Sequence, residues 1–144
     1  MTDGTAAAVG IVVVSHSSAL AEATVELVSR LANLPPDGPR LLAAGGMADG
    51  SLGTDAVRVA DALTAADAGA GVVVLADLGS AVLSARTALE ELVPPSAAER
   101  VRLSNGPIVE GTFIAAVQAS IGDDLAAVTT AADEAGSMDK LGTG

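Results

Sequence analysis

The sequence predicts an α/β fold: an open, mainly parallel sheet in an order of about 2-1-3-4, with helices on both faces. Three observations carry this. Val9 to Val14 and Val72 to Ala76 are short, β-branched apolar runs without alternation, the pattern of strands buried on both faces of a parallel sheet. A helix signal follows every candidate strand, as successive crossover units require. Half of the 144 residues are apolar, nearly all Ala, Val, Leu and Ile with Phe113 the lone aromatic, which suits close layering of helix on sheet.

Val9 to Val14 ends in Ser15, and Ser17 or Ser18 can cap a helix that presents Leu20, Ala23, Leu27 and Leu31 on one face. Beyond the Leu34-Pro-Pro-Asp-Gly-Pro39 break, Arg40 to Ala44 is a second strand. Gly53-Thr54-Asp55 then opens a helix bearing Val57, Ala60 and Leu63. Val72 to Ala76 is entered through Gly69 and Gly71, and Gly79-Ser80 starts the next helix, carrying Val82, Leu83, Arg86, Leu89 and Leu92. Val101 to Leu103, after Pro94-Pro95, is the last strand. Asn105 to Gly111 leads into a helix with Ile114, Val117 and Ile121, and Asp123 or Asp124 caps a final helix near Leu125 and Val128.

There is no internal repeat, and Pro35, Pro36 and Pro39 mark a loop, because too little chain precedes them to fold alone. The expected organisation is an N-terminal extension (1–8), one domain (9–135) and a flexible tail (136–144). A formal charge of −11 without a Lys/Arg-rich run opposes a nucleic acid partner. The absence of cysteine excludes disulfides and thiolate chemistry, and one histidine weakens any zinc site, so no metal is expected. Met1 to Ala8 lacks the character of a signal peptide, and no apolar run approaches the roughly 20 residues that span a bilayer. The expectation is a soluble cytoplasmic protein with no membrane partner.

His16, the only histidine, directly follows the first strand. Histidine is the residue type whose ordinary pKa, about 6.5, suits nucleophilic or proton chemistry near neutrality. Asp77 follows the third strand in the same way, and in a 2-1-3-4 order the two face each other where strand order reverses, the place where such sheets gather reactive groups. An imidazole with one N–H held by a carboxylate presents its other nitrogen unprotonated and aimed. Ser17, Ser18, Gly79 and Ser80 lie at helix N-termini, where free N–H groups favour an anion such as a phosphoryl group, and Gly45, Gly46 and Gly53 would let amides approach it. The plainer readings are a histidine bonded to a loop carbonyl, Asp77 capping a turn, and serines that are only caps.

Val12-Val-Val-Ser-His-Ser-Ser18, Gly53-Thr-Asp-Ala56, Leu75-Ala-Asp-Leu-Gly-Ser-Ala81 and Pro107-Ile-Val-Glu-Gly111 resemble the DhaM family, the phosphocarrier subunits of phosphotransferase-system dihydroxyacetone kinases. The resemblance runs in order from about Val9 to Val128. It implies a mannose-type IIA fold, usually a homodimer, in which the residue matched by His16 takes a phosphoryl group from HPr. The group then passes to ADP on a DhaL-type subunit, which phosphorylates dihydroxyacetone carried by a DhaK-type subunit. Phosphoenolpyruvate is the ultimate donor, and the phosphoryl group is carried covalently with no permanently bound cofactor. Asp77 matches the carboxylate that orients the active histidine. Some members continue into HPr-like and enzyme-I-like segments; this chain stops at Gly144, which implies those donors as separate proteins. Three other functions compete: a mannose-family sugar component that hands phosphate to a IIB domain, a receiver module phosphorylated on Asp77, and a non-catalytic anion-binding scaffold. The receiver lacks an acidic cluster after the first strand, and its required lysine would have to be Lys140, in the tail.

Overall fold

Four strands and the helices between them follow the expected alternation. The computed structural model describes residues 7–142; residues 1–6 of the expected extension and 143–144 of the tail lie outside them. The elements are β1 (Gly10–Ser15), α1 (Ser18–Leu31), β2 (Leu41–Gly45), α2 (Ala56–Ala66), β3 (Val72–Ala76), α3 (Gly79–Thr87), α4 (Pro95–Ala98), β4 (Val101–Leu103), α5 (Ile108–Ser120) and α6 (Leu125–Glu134). The strands form one parallel sheet in the order β2-β1-β3-β4. Pro94-Pro95 does more than break the chain, because Pro95 opens the single-turn α4, where its missing N–H costs nothing.

Every residue of β1 is buried, so its unbroken valine run is explained by helices on both sides. Ile11, Val73 and Leu75 pack on one face with Val28 of α1, Ala115, Ala116 and Ala119 of α5, and Val128 and Ala132 of α6. Val12, Val14, Val72 and Val74 pack on the other with α2 and with Ala81, Ala85 and Ala88. Full burial of a Val or Ile contributes about 1.5–3 kcal/mol. The centre of the sheet therefore carries much of the stability.

Ala60 and Leu63 of α2 and Val128 of α6 are buried as expected, whereas α1, α3 and α5 turn other residues inward. In α1 the buried residues are Ala21, Thr24 and Val28, while Leu20, Leu27 and Leu31 are 41%, 45% and 63% exposed. Leu83 and Leu92 lie outside while Ala81, Ala85 and Ala88 lie inside; Val57 and Ile121 are likewise exposed. Branched strand side chains already fill much of the interlayer space, so small residues such as Ala21, Ala85 and Ala116 let the helices approach closely. After Thr87 the helix widens into a π-helical turn, Ala88–Leu92, in which Val93 N–H bonds to the Ala88 carbonyl, five residues back. At the C-terminal side, Ala135–Ser137 forms a 3₁₀ turn and Lys140 pairs with Glu110 at the start of α5.

Helix ends match the sequence signals. Ser17 caps α1 by accepting from Leu20 N–H, Asp55 caps α2 through Val57 N–H, and Asp124 caps α6 through Ala127 N–H. Gly10 is required by proximity, since a Cβ there would stand 2.2 Å from the Ala66 carbonyl oxygen at the end of α2. Gly10→Ala should destabilise the fold by roughly 1–3 kcal/mol through forced separation of α2 from β1. Urea denaturation should show it as a lowered midpoint, and an unchanged midpoint would mean the contact is slack.

Candidate functional site

β1 and β3 are in register, Val14 beside Ala76, so the residues just past their carboxyl ends meet. Asp77 N–H donates to the Val14 carbonyl at 3.1 Å, which continues the ladder one step beyond β3. The Asp77 carboxylate then turns back across β1. Its Oδ2 accepts from His16 N–H at 2.9 Å and from the Ser15 hydroxyl at 3.0 Å; its Oδ1 accepts from Leu78 N–H at 2.7 Å. His16 Nδ1 lies 3.0 Å from Oδ1 and 3.2 Å from Oδ2.

Burial of Asp77 works to raise its pKa, but the bonds from His16 N–H, the His16 ring and the Ser15 hydroxyl outweigh it and hold the carboxyl below the usual value. The group is ionised near neutrality and needs a proton opposite it. Nδ1–H therefore donates to Asp77, and Nε2 carries the free lone pair. Ser80 Oγ stands 2.8 Å from Nε2 and donates to it. The His16 side chain is 28% exposed and that of Asp77 12%, so the nitrogen can be approached from solvent while its brace stays sheltered.

The main chain around the ring is also held. Gly46 N–H donates to the Ser15 carbonyl at 3.1 Å and Gly53 N–H to the His16 carbonyl at 2.9 Å. These amides are thus spent on the backbone of the His16 segment and do not form a phosphate cradle. Gly46, with φ of 70°, takes a turn that L side chains rarely adopt, and a Cβ at Gly45 would lie 2.6 Å from the Ser17 carbonyl oxygen.

The four serine and glycine residues expected at the anion site are not equivalent. Ser17 donates its N–H to Ser15 Oγ at 3.0 Å and uses its own hydroxyl as the α1 cap, and Ser18 donates its hydroxyl to Glu22. Gly79 and Ser80 differ, since α3 begins without a side-chain cap, leaving the first N–H groups of an exposed helix end without intrahelical acceptors. Ser15 was not singled out from the sequence. Its signal is a hydroxyl at the end of an otherwise apolar strand: it is fully buried, receives Ser17 N–H, and so has its one proton directed at Asp77. Among the described residues no group of three or more His, Asp or Glu side chains is placed to hold a metal ion, and no helix is long and apolar enough to cross a membrane.

A family model described as the PTS system fructose IIA component, EIIA-man, matches residues 10–129. The chain is 44% identical over 119 residues to the PEP-dependent dihydroxyacetone kinase phosphoryl donor subunit DhaM of Escherichia coli strain K12, covering 81% of this chain and 25% of that protein. It is 35% identical over 120 residues to the corresponding subunit of dihydroxyacetone kinase 2 of Listeria innocua, covering 83% and 93% respectively. It thus spans about a quarter of the first relative and nearly all of the second. Among solved structures, a protein of unknown function, EF1359, superposes with a TM-score of 0.74 at 32% identity, covering 88% of this chain and 94% of that one. A sigma-54 interaction domain protein from Enterococcus faecalis shares the fold at a TM-score of 0.65 and 17% identity.

Because the folded pKa of Asp77 is depressed, its contribution to stability is present above the unfolded value, about 3.9, and is lost as pH falls through the lower folded value. Asp77→Asn should cost roughly 1.5–3 kcal/mol at pH 7, the range for hydrogen bonds to a charged group. Urea titrations from pH 7 down to 3 should show the gap between the two proteins constant above about pH 5 and closing below about pH 4. A gap independent of pH would show that the carboxylate's charge is not what the donors serve.

Proposed function

We propose that this chain, which belongs to the EIIA-man family and within it to the DhaM phosphoryl donor subunits, is a phosphohistidine carrier. His16 Nε2 attacks the phosphorus of a phosphohistidine on HPr; the new N–P bond forms as the bond to the donor imidazole breaks, and the donor ring leaves with that electron pair. His16 keeps its Nδ1–H, so its ring becomes a cation, and Asp77 stabilises the developing charge. Ser80 releases Nε2 and donates to a phosphoryl oxygen, joined by the Gly79 and Ser80 N–H groups at the α3 N-terminus. Ser17 and Ser18 contribute mainly by shaping the start of α1.

In the second half-reaction ADP on a DhaL-type subunit takes the phosphoryl group, and the resulting ATP phosphorylates dihydroxyacetone on a DhaK-type subunit. Phosphoenolpyruvate supplies the chain of carriers, in the cytoplasm. The observation that carries this reading is the ring itself, with Nδ1 on an ionised carboxylate and Nε2 met only by a rotatable hydroxyl. The rim supports it. Leu52, Leu78 and Leu83 are exposed on the segments around His16, and residues 15–22, 46–55 and 77–84 contain Glu22, Asp49, Asp55 and Asp77 but no Lys or Arg. Such a rim suits carrier proteins that bring an apolar, basic face and supply the cations a phosphoryl group needs in transit.

Reconstitution with labelled phosphoenolpyruvate, enzyme I and HPr tests the reading. The wild type should take up acid-labile, base-stable label and pass it to ADP on a DhaL-type subunit. His16→Ala should take up none while remaining folded. Asp77→Asn should slow uptake by on the order of 10²- to 10⁴-fold, and Ser80→Ala by less. Full labelling of His16→Ala would end the proposal, and delivery to a sugar-specific IIB domain in place of ADP would reassign the recipient.

A further inference from the structure

We propose, resting on the phosphohistidine reading above, that Thr54 and Ser84 are positioning residues for phosphoryl transfer. Their paired hydroxyls clasp the loop between β2 and α2 to α3, and so hold Ser80 where it meets His16 Nε2.

Thr54 stands in the stretch Gly53-Thr-Asp-Ala56, and its two neighbours have local tasks. Gly53 N–H donates to the His16 carbonyl at 2.9 Å, and Asp55 caps α2 by accepting from Val57 N–H at 2.9 Å. Thr54 does neither. Its Oγ1 crosses to α3 and stands 2.5 Å from Ser84 Oγ, one hydroxyl donating to the other. Both residues are half-buried, so water competes for this bond less than it does at an open surface.

Ser84 follows Ser80 by one turn, which puts the two hydroxyls on the same face of α3. Among the described residues, the side-chain hydrogen bonds from α3 to other elements are Ser84 with Thr54 and Ser80 with His16. Little else fixes the start of this helix. Its first turn has no side-chain cap, Gly79 and Ser80 are exposed, and its buried residues are Ala81 and Ala85. Methyl groups set how closely α3 lies on the sheet but make few contacts that resist its rotation. A hydrogen bond is sensitive to both distance and angle, so the bond at Ser84 fixes that rotation, and Ser80 turns with it.

The contacts close a ring. They run from the His16 carbonyl to Gly53, through Thr54 to Ser84, up one turn to Ser80, and back to His16 Nε2. Asp77 orients the imidazole from the Nδ1 side; the clasp orients the hydroxyl on the other. During transfer Ser80 moves from Nε2 to a phosphoryl oxygen, and a misplacement of about 1 Å in such a group can cost on the order of 10²-fold in rate.

Thr54→Val keeps the side-chain shape without the hydroxyl, and Ser84→Ala removes the other partner. Each should slow label uptake from phosphorylated HPr by roughly 10-fold at saturating donor, with the half-saturating donor concentration unchanged, and Thr54→Ser should restore the rate. The two changes together should cost no more than either alone, and in a Ser80→Ala background Thr54→Val should slow uptake by less than about threefold further. The nitrogen NMR resonance of His16 Nε2 reads the same geometry without any transfer: Thr54→Val should move it in the direction in which Ser80→Ala moves it. Full-rate uptake by Thr54→Val, a loss that multiplies with that of Ser80→Ala, or an unmoved resonance would each overturn the proposal. A wild type that takes no label overturns the phosphohistidine reading and this proposal with it, whereas a labelled wild type with unaffected variants overturns this proposal alone. Ser84→Ala supplies the same readings if Thr54→Val disturbs folding.

Discussion

One carboxylate joins the two central strands where their ladder ends. Asp77 gathers the Ser15 hydroxyl, the His16 and Leu78 amides and the His16 ring onto two oxygens. With those donors in place a partly buried charge is tolerated; with fewer of them, burial would push it toward neutrality. Everything said of the imidazole depends on that balance, because an ionised Asp77 decides which nitrogen is protonated and which is free. The strand register makes the meeting possible, since a shift of one residue would turn the site residues to the opposite face.

Around this joint the loops serve the backbone more than any ligand. The turn after β2 spends its glycine amides on the Ser15 and His16 carbonyls, and the α1 N-terminus is closed by its own serine. The start of α3 is left uncapped beside Nε2. A site with one rigid side and one open side suits a group that must arrive and depart on other macromolecules, because the brace is prepaid in folding and the reactive nitrogen remains accessible.

The distribution of small and large side chains has a similar logic. Alanines face the sheet in α2, α3 and α5, joined by Leu63 in α2, while Leu27, Leu31 and Leu83 lie outward. Close layering thus leaves large apolar side chains exposed, among them Leu20, Leu27 and Leu31 on α1 and Leu52, Leu78 and Leu83 around the site.

The sequence by itself determined the sheet, the strand order and the caps. β-branched runs without alternation have few alternatives to a doubly covered parallel strand, and Ser17 or Ser18, Asp55, and Asp123 or Asp124 mark helix starts by local hydrogen bonding, with Ser17, Asp55 and Asp124 the caps the structure uses. It also placed His16 and Asp77 at equivalent strand ends. Only the tertiary structure decided which face of α1, α3 and α5 turns inward, because packing density at the sheet favours alanine there where hydrophobicity alone favours larger residues. It alone revealed Ser15 as the hydroxyl that steadies the carboxylate, and it alone separated the spent amides of the β2 turn from the free ones at α3. Hydrogen-bond partners far apart in the chain are fixed by register and loop path, and local pattern carries no record of either.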